Sequence, residues 1–149
     1  MQKLTRAALG MFLGLGLSGL VAAAVPPATG LGQAWPNAVD VSLSPNWHVY
    51  VFVLNGIKYI QVNDLNGNVM GAVGTAGGQF ITLPMGQAAQ YVSTSQQRAA
   101  NTPSATTTTT VYRDNSTVIT ATPNSSGMVV LHAASTDTCT DPVECSSLN

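Results

Sequence analysis

The stretch WHVYVFVLNGIKYIQVN, residues 47–63, decides the fold. Both halves are rich in β-branched and aromatic residues, which favour strands. Asn55-Gly56 between them is the strongest short hairpin signal, because both central positions of a type I′ turn need a positive φ. A two-residue turn also fixes the register, so that Leu54 opposes Ile57 and the pairs continue outward from there. The sequence therefore predicts an antiparallel hairpin.

The predicted register gives this hairpin two different faces. One face is aliphatic and is expected to point into the core; it carries Val49, Val51, Ile60 and Val62. The opposite face collects six aromatic and polar side chains: His48, Tyr50, Phe52, Tyr59, Gln61 and Asn63. Aromatic patches with a polar rim mark binding sites when they stay exposed, so these six are the candidate binding residues. The alternative is that late strands or a helix cover this face.

The remaining turn and strand signals extend the hairpin into a meander. A turn over 64–68 leads to a third strand over 69–73, and a fourth strand covers 79–83. If Asp64 closes on Asn68, Val62 opposes Met70 and Ile60 opposes Ala72. Two apolar stretches within 109–132 predict late strands. The fold class is mostly β, a small antiparallel β-meander or sandwich-like domain with a short helix near 85–97 and a low-complexity Ser/Thr-rich C-terminal part.

The first 24 residues are typical of a secretory signal peptide. Lys3 and Arg6 precede an uncharged apolar stretch, 7–21, and the small residues 22–24 supply a cleavage site. The apolar run is shorter than the roughly 20 residues needed to cross a bilayer. We therefore expect an exported protein, periplasmic or secreted, with no stable membrane span after cleavage.

Composition divides the rest of the chain into three parts. Residues 25–46 form a Pro/Gly/Ala/Ser-rich flexible lead-in, 47–92 the β-meander core, and 93–149 a Ser/Thr-rich segment. Cys139 and Cys145, the two cysteines, are expected to form a disulfide loop in an exported protein. Their spacing does not fit the two-residue spacer of redox motifs, so the bridge is interpreted as a local clip.

Charge and motifs exclude several classes of function. Only 7% of the 149 residues are charged and the formal net charge is −1, which argues against a nucleic-acid surface built on phosphate contacts. The chain has no nucleophile elbow and no phosphate-binding loop with its lysine, so no catalytic residue and no cofactor are assigned. Asp64, Asn66 and Asn68 have the spacing of a calcium loop, but the later positions fail and a hairpin turn explains them. No metal ligand is assigned.

These observations predict an exported small non-catalytic β-domain of the bacterial envelope or extracellular space. Its function is expected to be that of a binding or interaction module with a protein or envelope partner. Two alternatives stay open. One is an envelope structural or spacer protein, and the other is a small metal-binding protein or enzyme that uses His48 and His132.

Overall fold

The computed structural model describes residues 27–99, 107–125 and 127–136. The predicted signal peptide, 1–24, and the predicted disulfide loop, 139–145, lie outside the described residues. Within the described ranges, no helix combines the length and the apolar character that crossing a membrane requires.

Eight strands form two four-stranded sheets in this part of the chain. They are β1 His48–Leu54, β2 Ile57–Asn63, β3 Val69–Ala76, β4 Gln79–Thr82, β5 Val92–Thr94, β6 Thr109–Arg113, β7 Thr117–Pro123 and β8 Val129–Ser135. The first sheet has the order β1-β2-β3-β4, and the second has the order β5-β8-β7-β6. Only the β5–β8 pairing among these is parallel. The protein is mostly β, which confirms the predicted fold class.

The β1–β2 hairpin has the predicted turn and register. Asn55 and Gly56 take φ values of 51° and 80°, the two positive angles that a type I′ turn requires. Leu54 pairs with Ile57, and the pairing continues without a shift to His48 opposite Asn63. The short-range signal in the sequence was sufficient here because a two-residue turn leaves a single register.

The β2–β3 pairing differs from the prediction by one residue. The turn closes as expected, with the Asp64 N–H donating to the Asn68 carbonyl oxygen at 3.0 Å. However, Val62 pairs with Gly71 rather than Met70, and Ile60 pairs with Val73 rather than Ala72. The cause is a β-bulge: Asn63 pairs with Val69, so β3 carries one extra residue between two successive pairs.

The bulge directs Gly71 toward the second sheet. A Cβ on Gly71 would lie 2.7 Å from Cγ2 of Val92 and 3.0 Å from Cδ1 of Leu131, so the glycine permits the close approach of the two sheets. The core is shared between them and is not confined to 47–92. Its buried side chains include Val49, Ile60, Val62, Met70, Val73, Val92, Val111, Ile119, Leu131 and Ala133.

The predicted helix over 85–97 is replaced by a single 3-10 turn, Ala89–Tyr91, followed by β5. The backbone N–H groups of Gln87 and Ala88 donate to carbonyl oxygens of β3, at 2.9 and 2.8 Å. Gly86 has a φ of 94°, and a Cβ there would lie 2.5 Å from the Met70 backbone. The segment is therefore held against β3, and its β-branched end pairs with β8 instead of continuing a helix.

A polar cluster joins the two sheets at one end. Lys58 of β2 forms an ion pair with Asp114, which follows β6. The Tyr112 hydroxyl donates to Oδ2 of Asp114 at 2.7 Å. Burial by itself would raise the pKa of Asp114, but the hydrogen bonds from Lys58, Tyr112 and the Ser116 backbone outweigh it and hold that pKa well below its usual range.

Candidate functional site

The lead-in packs on the polar end of the predicted binding face. The Gly32 N–H donates to Oε1 of Gln61 at 2.6 Å, and Nε2 of Gln61 donates to the Gln33 carbonyl oxygen at 2.8 Å. Nδ2 of Asn63 donates to the Ala34 carbonyl oxygen, also at 2.8 Å. The chain's own N-terminal segment, and neither the late strands nor a helix, therefore covers this end of the face.

Gln61 and Asn63 are fully buried, each with 0% of its surface exposed. A buried amide is tolerated when both its donor and its acceptor groups are used. Here Nε2 of Gln61 also donates to Oδ1 of Asn63 at 2.9 Å. No buried side-chain nitrogen or oxygen within the described ranges lacks a partner. The two amides thus act as fixed points that set the path of the lead-in across the sheet.

His48 is held by a carboxylate from the lead-in. Its Nδ1 lies 2.6 Å from Oδ2 of Asp40, whose Oδ1 accepts hydrogen bonds from the N–H groups of Val49 and Ser42 at 2.9 and 3.0 Å. Burial by itself would raise the pKa of Asp40, but these hydrogen bonds outweigh it and lower that pKa. Asp40 is therefore ionised at neutral pH and orients the imidazole. The other ring nitrogen, Nε2, has no hydrogen-bond partner among the described residues.

Trp35 lies beside His48 at the surface. Their ring centroids are 5.3 Å apart, with the planes at 68°, an edge-to-face contact. The indole also packs directly against Gly67, where a Cβ would lie 2.7 Å from Cε2 of the tryptophan. Even so, 59% of Trp35 is exposed. The indole thus contacts Gly67 and His48 while most of the residue stays exposed.

We use the name Trp35 site for Trp35, His48, Asp40 and the exposed Asn66, which directly precedes Gly67. Sequence reasoning found only His48 of these four as a binding residue. Trp35 and Asp40 were missed because the lead-in has no periodic pattern, and Asn66 was interpreted only as a turn residue. The one available signal was a lone tryptophan within a Pro/Gly/Ala/Ser-rich segment.

The other predicted binding residues have different roles. Tyr50 is buried and stacks under His48, with the centroids 6.3 Å apart and the planes at 19°. Phe52 is also buried. Both lie on the same face of the hairpin as His48 but are covered, so neither is exposed to a partner.

Tyr59 belongs to a second surface at the other end of the face. This apolar patch consists of the exposed or half-buried residues Leu54, Ile57, Tyr59 and Ile81. Tyr59 and Ile81 close over Gly74, where a Cβ would lie 3.3 Å from Cε1 of the tyrosine and 2.9 Å from Cγ1 of the isoleucine. The predicted face is therefore divided into the Trp35 site and the apolar patch.

The two histidines have separate partners in different sheets. Nδ1 of His132, in β8, lies 3.0 Å from Oγ of Ser93, its cross-strand neighbour in β5. Burial lowers the pKa of His132, so this side chain is neutral at pH 7. Within the described ranges, no group of three or more His, Cys, Asp or Glu side chains could hold a metal ion.

No protein-family model matches the chain, and neither a curated protein nor a solved structure matches it. A gap of about 10 Å³ between the sheets is lined by apolar side chains and His132, which is about the space of one water molecule. This gap is too small for a ligand larger than water, and the two candidate surfaces described above lie on the outside of the sheets.

Proposed function

We propose that this chain is an exported, non-catalytic β-sandwich binding module that contacts its partner through the Trp35 site. The observation that carries the proposal is an indole that stays 59% exposed although its neighbours hold it in place. An exposed indole presents a large apolar area, and covering that area with a partner is favourable. A ring that is already fixed loses little conformational entropy when a partner binds.

Two features support a fixed rather than a mobile ring. The lead-in on either side of Trp35 is anchored, by Asn63 at Ala34 and by a backbone pairing between Thr29 and Asn37. His48, the edge-to-face neighbour, is itself held by Asp40. Tryptophan is also enriched among residues that dominate binding energies.

The apolar patch is a rival contact surface on the same domain. Leu54 and Ile81 are about half exposed, at 50% and 54%, and no charged residue belongs to the patch. A structural or spacer role in the envelope would require neither surface to bind a specific partner. Variants in each surface therefore distinguish these possibilities.

The test is affinity capture by the tagged mature protein from its own host, compared among matched variants. Trp35→Ala is expected to abolish recovery of the specific companion, with the melting temperature unchanged. Leu43→Ala is the control, because Leu43 is as exposed as Trp35 (60%) but lies outside both surfaces. Loss of capture only in Ile81→Ala would show that the apolar patch, and not the Trp35 site, contacts the companion. A companion retained by all variants, or no companion, would contradict the proposal.

Export is tested on the same material. The mature protein recovered outside the cytoplasm is expected to begin at Val25, which mass determination of its N-terminal peptide measures. Recovery of the uncleaved chain from the cytoplasm would contradict this part of the proposal.

A further inference from the structure

We infer that the Trp35 site binds a pyranose ring of a neutral glycan. This inference rests on the proposed function, because it names the ligand class of the same site. Three properties of the site carry it: an open aromatic surface, hydrogen-bonding groups around that surface, and the absence of a nearby cation in the sequence segments that build it.

The indole matches the apolar side of a sugar ring. A pyranose presents several C–H bonds on one side, and these carry a small positive charge that is attracted to the negative π face of an aromatic ring. Trp35 offers aromatic surface for such a contact, because 59% of the residue stays exposed beside its contacts with Gly67 and His48. A flat platform of this kind suits a ring better than it suits a flexible chain.

The neighbours of Trp35 can satisfy the hydroxyl groups of a sugar. Nε2 of His48 and the side-chain amide of Asn66 have no hydrogen-bond partner among the described residues. An amide both donates and accepts, as a hydroxyl does. The imidazole of His48 is oriented by Asp40, and the backbone at Asn66 is held by its N–H, which donates to Oδ1 of Asp64 at 2.9 Å.

The charge distribution favours a neutral ligand over an acidic one. Lys58 is the single Lys or Arg between residues 27 and 97, and it is paired with Asp114 at the junction of the sheets. The carboxylates near the site, Asp40 and Asp64, are negative. Asp64 is also occupied, since it accepts hydrogen bonds from Asn66 and Asn68. A uronic acid or a phosphate would therefore face these two carboxylates, and the segments that build the site contribute no Lys or Arg besides the paired Lys58.

The binding assay uses the intrinsic fluorescence of Trp35. The chain has two tryptophans, so in a Trp47→Phe variant Trp35 is the sole indole. Cellohexaose, chitohexaose and maltohexaose are the neutral probes, and a hexamer of galacturonic acid is the acidic probe. We expect saturable changes in emission with at least one neutral probe and weaker binding of the acidic probe.

Calorimetry on variants of the full mature chain gives the second measurement. Trp35→Ala is expected to weaken binding of the active probe at least about tenfold, as removal of an aromatic anchor does. Asn66→Ala is expected to weaken it severalfold without changing the melting temperature, while Leu43→Ala binds as the wild type does. Equal binding by Trp35→Ala and the wild type would overturn the inference.

The two assays distinguish failure of the glycan inference from failure of the proposed binding function. If no neutral probe binds at millimolar concentration while capture of a companion still depends on Trp35, the proposed glycan ligand is overturned. The proposed function as a binding module is then kept. If the acidic probe binds more tightly than the neutral probes, the charge argument is overturned. If neither sugar binding nor capture depends on Trp35, both proposals are overturned together.

Discussion

Asn63, the last residue of β2, donates a hydrogen bond from Nδ2 to the carbonyl oxygen of Ala34, 2.8 Å away and 29 positions earlier in the chain. The same Nδ2 lies 3.3 Å from the carbonyl oxygen of Gly67. One buried amide therefore contacts both the lead-in beside Trp35 and the turn under its indole. The geometry of the Trp35 site depends on this link.

Replacing Asn63 with alanine is expected to destabilise the protein by about 3 kcal/mol, because it removes the donor to the Ala34 and Gly67 carbonyl oxygens and the acceptor of the buried Gln61 amide. Chemical denaturation measures the change. Limited proteolysis is expected to cut the lead-in faster than in the wild type. Asn66→Ala is the control and is expected to change the free energy of unfolding by less than about 0.5 kcal/mol, since its side chain is exposed. Equal stabilities of the two variants would contradict the role of Asn63.

Two glycines of β3 provide a matched pair for testing how the sheets pack. Gly71→Ala places a methyl group against buried Val92 and Leu131, and we expect a loss of about 1–3 kcal/mol. Gly74→Ala meets the exposed Ile81, whose side chain can move, so the loss should be smaller. Thermal and chemical unfolding of both variants check this order. The opposite order would show that the second sheet does not approach Gly71 as closely as described.

Asp114→Asn is expected to weaken the junction between the sheets in a pH-dependent way. The hydrogen bonds to the charged carboxylate predict a loss of about 2 kcal/mol at pH 7. Since the folded pKa is depressed, this stability is present above the ordinary value of 3.8 and is lost as the pH falls through the folded pKa. The difference between wild type and variant should therefore shrink below about pH 4. Denaturation curves from pH 7 down to pH 2 measure it, and a constant difference would argue against the ionised carboxylate.

Because of His132, we expect stability to depend on pH in a second, less acidic range as well. Burial lowers its folded pKa below the ordinary 6.5, so the unfolded chain takes up a proton before the folded protein does. Stability is then fully present above pH 6.5 and declines as the pH falls below it. In His132→Gln this decline between pH 6.5 and 5 should be smaller than in the wild type. Parallel slopes in the two proteins would show that other groups cause the decline.

Local signals were sufficient for the first hairpin and for the division of its two faces. Asn55-Gly56 fixes its own conformation and register, and no distant residue is needed to decide them. The β2–β3 register was wrong because a bulge depends on how Met70 and Gly71 pack against the other sheet. The helix over 85–97 was not formed because the backbone donors of Gln87 and Ala88 bond to β3, a contact that sequence periodicity does not report.

The sequence by itself determined a mostly β domain, because turn residues and β-branched runs act over a few neighbouring positions. It also placed His48, Tyr50, Gln61 and Asn63 on one face, since side chains in a strand alternate. Only the tertiary structure decided what that face became. The lead-in, which has no periodic pattern, lies across this face. Its residues 32–34 supply the backbone hydrogen-bonding groups that the buried side-chain amides of Gln61 and Asn63 need.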